Sequence, residues 1–178
     1  GNSGLSGTTN FMGTTDNVDV SFRRNNLASG KIQATNISLG VGALNTASTG
    51  TSNSAFGTSS LGANTIGSSN VAVGTSSLLV NTTASNNTAV GASALAANTT
   101  GQNNTAIGQR ALVTNILGGS NVAVGTNALA VNTASDNTAV GFSALTANST
   151  GTKNTALGTQ ASSAITTGSS NTSVGYQA

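Results

Sequence analysis

Nine glycines stand at a fixed interval along this chain: Gly40, Gly57, Gly74, Gly91, Gly108, Gly125, Gly141, Gly158 and Gly175, seventeen residues apart except for the sixteen between Gly125 and Gly141. A fixed period near twenty residues is the mark of a solenoid, in which each copy is one supersecondary unit that buries its apolar side only by stacking on the next. Most globular folds are excluded at once. The expected architecture is all-β: a β-solenoid of about nine 17-residue coils over residues 34–178, preceded by a cap or hairpin segment over 1–33.

The phrase around each glycine is nearly constant. Four places earlier stands Asn36, Asn53, Asn70, Asn87, Asn104, Asn121, Asn137, Asn154 or Asn171. Immediately before it is an apolar residue, from Leu39 and Phe56 through Val90 and Ile107 to Val174, and four after it a Leu recurs from Leu44 to Leu145, with Ser162 the one break. In NTAVG, alternation puts Thr88 and Val90 on one face and Asn87 and Ala89 on the other. Gly91 makes a corner that a side chain would obstruct, SAL with Leu95 pointing inward is expected as a second strand, and NTTG closes the coil with turn formers. A helix does not fit, because the Val90 to Leu95 spacing sustains no 3.6-residue period and Thr, Asn and Gly are poor helix formers.

Stacked at about 4.8 Å per coil, nine coils make a rod roughly 40 Å long. Asn at one place per coil either stacks into an amide ladder or begins a turn. The position two before the glycine admits only Ala or Ser, so something approaches it closely. With Val90 and Leu95 assigned to the interior, Ala55, Ala72, Ala89, Ala106, Ala123, Ala139 and Ala156 are expected to face a neighbouring chain.

The surface of such a rod must be built from Ser, Thr, Asn and Gly. Charged residues are 4% of the chain and aromatics 3%, with no Pro, Cys, His or Trp, where charged residues usually make up about a quarter. The net charge of +2 comes from five basic and three acidic side chains. Nucleic-acid binding, which needs many phosphate-neutralising cations and stacking aromatics, is not expected. No apolar run reaches the roughly 18–20 residues of a membrane-spanning helix, so no membrane insertion is expected of this segment.

NTAVGASALAANTTGQ and its copies resemble the head repeats of trimeric autotransporter adhesins of the YadA kind, and similar repeats in phage tail fibres. The resemblance runs from Asn36 to Ala178 and rests on N[TSVI][AS]hG, with h apolar, followed by Leu. It implies a left-handed parallel β-roll and a homotrimer packed around a three-fold axis, outside the cell on a bacterial surface or in a virion fibre. The seventeen-residue coil looks longer than the usual adhesin-head turn, and the family's coiled-coil stalk and membrane anchor are not seen in this sequence.

Ahead of the repeats, Val18, Val20 and Phe22 alternate with Asp19, Ser21 and Arg23, and Asn25-Asn26 marks a turn, so a β-hairpin is expected. A cap over the open solenoid end is the plain reading, since an uncovered end invites aggregation. Catalysis is not expected. Triads, Cys-His pairs and His-based metal sites lack their residues, and the only carboxylates are Asp16, Asp19 and Asp136. A glycosidase pair from Asp16 and Asp19 would lack a cleft, and GVG at Gly40 to Gly42 has no dinucleotide-loop context. No cofactor is expected. The leading reading is a non-enzymatic fibre segment acting as a spacer or in attachment, its flank offering Asn98, Thr99, Thr100 and Gln102 to a receptor whose identity stays open. The alternative is a single-chain Thr-rich solenoid that binds ice or another crystalline surface. A polysaccharide-degrading tailspike would need acidic residues that the rod lacks.

Overall fold

In the computed structural model, which describes residues 20–24 and 27–178, Thr and Val flanking a small residue form one short strand per coil. Among the described residues eleven strands lie in chain order in one sheet: β1 (Val20–Arg24), β2 (Leu27–Ile32), β3 (Ile37–Leu39), β4 (Ser54–Phe56), β5 (Val71–Val73), β6 (Thr88–Val90), β7 (Thr105–Ile107), β8 (Val122–Val124), β9 (Thr138–Val140), β10 (Thr155–Leu157) and β11 (Thr172–Val174). The described residues form no helix, and so none that could cross a membrane.

From β3 to β11 the strands are parallel, and each pairs with its equivalent one coil on. Thr88 lies beside Thr105, Ala89 beside Ala106, and Val90 beside Ile107. The all-β solenoid of roughly seventeen-residue coils expected from the glycine period is therefore the fold. At its start, β1 and β2 pair antiparallel and β2 pairs antiparallel with β3, Lys31 opposite Ser38. The hairpin thus covers the first coil's strand edge. Its expected turn at Asn25-Asn26, and the expected alternation at Val18 and Asp19, lie outside the described residues.

The register glycine is required by its backbone. Gly108 has φ +132, and a Cβ there would sit 2.6 Å from the Gly125 carbonyl. Past this corner the SAL segment forms no second strand, in contrast to expectation. Its second and fourth post-glycine residues turn left-handed, as at Ser93 (φ 58) and Leu95 (φ 50), which breaks the extended conformation. Backbone pairing between coils nonetheless continues, with Leu95 N–H donating to the Ala111 carbonyl at 3.0 Å. A left-handed non-glycine residue costs roughly 1–2 kcal/mol. Full burial of Leu returns about 1.5–3 kcal/mol, so Leu is tolerated where Gly would be easier on the backbone.

The core differs from the one expected. It consists of Ala and Leu: Ala89, Ala94 and Leu95 in one coil, Ala106, Ala111 and Leu112 in the next, all without accessible surface. Val90 and Thr88 point outward, half-buried, while Asn87 and Ala89 point in. The sequence pattern defines two alternating faces but not which is inside. The Leu side chain from the opposite wall fills so much of the thin cross-section that the strand can contribute only a methyl. Ala55, Ala72, Ala89, Ala106, Ala123, Ala139 and Ala156 therefore lie inside their own chain at 0–1% exposure, and the expectation that they face a neighbouring chain is wrong.

Candidate functional site

Inverting the strand faces moves the apolar stripe to the surface. Residues immediately before the glycines form an outward column in which Leu39, Val73, Ile107, Leu157 and Val174 are exposed, and Phe56, Val90, Val124 and Val140 half-buried. Beside it, three before each glycine, runs a second outward column: Ile37, Ser54, Val71, Thr88, Thr105, Val122, Thr138, Thr155 and Thr172. In-register pairing lines both columns up along the rod, and neither holds a charge. Isolated apolar residues on a surface are ordinary, but a continuous apolar stripe rimmed by polar residues marks a place of contact.

Two asparagine ladders hold this face rigid from within. In the first, the one legible in the sequence, each Asn Oδ1 accepts the backbone N–H of the next Asn, as from Asn53 to Asn36 and from Asn104 to Asn87, at 2.8–3.0 Å. Its Nδ2 crosses the coil to a carbonyl fourteen residues on: Asn36 to Gly50, Asn53 to Gly67, Asn87 to Gly101, Asn104 to Gly118, all at 2.9 Å. Amide-to-amide bonds join only some rungs, such as Asn70 to Asn53, Asn121 to Asn104 and Asn171 to Asn154. Asn137 and Asn154 continue the same backbone pattern.

The second ladder was not anticipated. Asn64, Asn81, Asn98, Asn115, Asn132 and Asn148, seven residues after the glycines, are all fully buried. Asn81 Nδ2 donates to Asn64 Oδ1, Asn98 to Asn81, and Asn115 to Asn98, each at 3.0 Å. The same Nδ2 groups donate to the carbonyl three residues on, so that the Gly67 carbonyl accepts from both Asn53 and Asn64. Asn98 is thus structural and unavailable to a receptor. Of the flank residues expected beside it, Thr100 and Gln102 are exposed and Thr99 is half-buried, its Oγ1 donating to the Ile116 carbonyl at 3.2 Å. The recurrence of this second Asn was visible, but NTTG reads as a turn and concealed it.

The second ladder breaks once. In the sixteen-residue coil, Asn132 Nδ2 keeps only its carbonyl bond, now to Ala134 two residues on at 2.8 Å, and Asn115 Oδ1 is left as the buried side-chain oxygen with no partner among the described residues. Asn137 Nδ2 fills in on the far side, donating to Asn132 Oδ1 at 3.2 Å, and Asn148 resumes the ladder at 2.7 Å.

Chemistry of other kinds finds little support. Among the described residues no group of His, Cys, Asp or Glu could hold a metal ion. Asp16 and Asp19 lie outside the described residues, and Asp136 is exposed in a turn. A hollow of about 290 Å³ opens between the hairpin and the first coil, lined by Ser21, Arg23, Lys31, Gln33 and the Ala43-Leu44 floor. It arises because the hairpin covers the strand edge of the first coil but not its opposite wall. No protein-family model, curated protein or solved structure matches the chain.

Proposed function

We propose that this chain is a structural and adhesive fibre segment in which three copies associate through their outward sheet faces. The resulting homotrimeric rod belongs to a surface appendage, a bacterial adhesin head or a virion tail fibre, and acts outside the cell in attachment or as a rigid spacer. It carries out no catalysis. The observation that supports this most is the outward column from Leu39 to Val174: apolar, uncharged and in register along every coil. A face with no charge meets its own copy without repulsion, and a shared axial repeat lets identical rods interdigitate at every coil. The resemblance of the repeat phrase to trimeric adhesin heads points the same way, with the apolar column now in the place first given to Ala.

Val90→Glu combined with Ile107→Glu tests it. Both side chains point away from the core, so the fold should survive, with an unchanged circular dichroism spectrum, while the oligomer dissociates. An oligomer of unchanged mass would sink the proposal.

A second reading draws on the same face. Thr88, Thr105, Thr138, Thr155 and Thr172 point outward beside the apolar column, which an ice- or crystal-binding sheet requires. Ile37, Ser54, Val71 and Val122 interrupt the array. A monomer that shows thermal hysteresis would favour this reading, and a trimer without it the first.

A further inference from the structure

The residue that follows each register glycine sits just beyond the corner of the coil, and most are small or polar: Thr58, Thr75, Ala92, Gln109, Thr126 and Thr159. Two are aromatic. Phe142 and Tyr176 occupy this position two coils apart with Thr159 between them, at 50% and 72% exposure. At about 4.8 Å per coil the two rings are roughly 10 Å apart along the rod.

The backbone beneath them is fixed. Gln160 N–H donates to the Phe142 carbonyl at 2.8 Å, and Gln177 N–H to the Thr159 carbonyl at 3.0 Å. Left-handed backbone at Ser143, Gln160 and Gln177 (φ 53, 57 and 52) sets a second column of side chains alongside. Within it Gln177 Nε2 donates to Gln160 Oε1 at 2.9 Å, which orients the amide pair beside the aromatic column. Neither column carries a charge between Phe142 and Gln177.

From this juxtaposition we infer that the corner from Phe142 to Gln177 binds a neutral, extended glycan with β-1,4-linked rings, lying along the rod axis. In such a chain alternate sugar rings are flipped, so the same C–H face returns once per disaccharide, a length close to two coils. Phe142 and Tyr176 take successive equivalent C–H faces, and the Gln160-Gln177 amides and Ser143 hydroxyl bond the ring hydroxyls. Apolar platforms with a few oriented polar groups are the usual make-up of a small-ligand site, and the ordered backbone lowers the cost of binding. The inference rests on the attachment reading for its biological setting alone, since the site lies within one chain.

Tyr176 is the only tyrosine and the chain has no tryptophan, so its fluorescence reports on the site directly. The protein is titrated with cellohexaose, chitohexaose and, as an α-linked control, maltohexaose, with calorimetry in parallel. Saturable binding of at least one β-linked hexaose is expected, with maltohexaose weaker by about tenfold or more. Phe142→Thr introduces the residue that Thr126 and Thr159 already place at this position, so folding should be unaffected. It should weaken binding about tenfold, the usual loss for an aromatic anchor, and Phe142→Tyr should retain it. No saturation with either β-linked sugar, equal binding of maltohexaose, or unchanged affinity in Phe142→Thr overturns the inference. Sedimentation of the same samples separates this outcome from failure of the trimer reading, because a monomer that binds sugar and a trimer that does not are both distinguishable.

Discussion

At Gly108 the backbone leaves no room for any other residue, since φ is +132 and a Cβ would meet the Gly125 carbonyl. Gly108→Ala should therefore cost about 3 kcal/mol or more, read as a fall in the thermal midpoint. A midpoint unchanged within a degree would show that the corner can relax. The buried amides are equally exacting. Asn98 donates to Asn81 Oδ1 and to the Gly101 carbonyl and accepts from Asn115. Asn98→Ala strands the buried Asn81 Oδ1 without water, while the Gly101 carbonyl keeps Asn87 and Asn115 Nδ2 keeps the Gly118 carbonyl, and should cost about 1–3 kcal/mol, measured by denaturant unfolding. A surface turn residue, as Asn98 first reads, would cost well under 1 kcal/mol. At this scale the glycine corner and the first asparagine were legible, because each must be one residue type in every coil. The side on which Ala89 lies was not. A two-residue alternation is symmetric between its faces, and only the bulk of Leu95 from the opposite wall shows that Ala89 is inside and Val90 outside.

Among the coils, the short one stands out. The residue missing between Thr133 and Ala134 pulls Asn132 away from Asn115, whose Oδ1 is left buried and unpaired. Inserting one Thr after Thr133 should restore the seventeen-residue period and the rung. The expected gain is about 1 kcal/mol, or roughly 2–4 °C in the thermal midpoint for a chain of this size. A lower midpoint would mean that the short coil is better packed than its hydrogen bonds indicate. The irregular interval from Gly125 to Gly141 announced a local change, but its effect on the rung between Asn132 and Asn115, one coil earlier, needed coordinates. The SAL segment shows the converse. Its inward Leu was readable from recurrence, whereas its left-handed turns were not, because Leu is among the residues least expected at positive φ.

For the whole molecule, the rod has a core of Ala, Leu and Asn no wider than a few side chains, and its larger β-branched residues lie outside. Such a chain gains stability by repetition, each coil adding a similar increment of burial and backbone pairing. Its apolar column runs along the same face of every coil, so association there would lengthen the buried core sideways as stacking lengthens it axially. The corner aromatics Phe142 and Tyr176 add a local feature on an otherwise uniform shaft, visible only when residues 34 places apart are seen to share one column. The measurement that tests the central claim most directly is the native mass by sedimentation equilibrium. The account predicts three chains of 17.1 kDa each in an elongated particle; a single chain at micromolar concentration would contradict it, leaving the apolar column without the partner assigned to it.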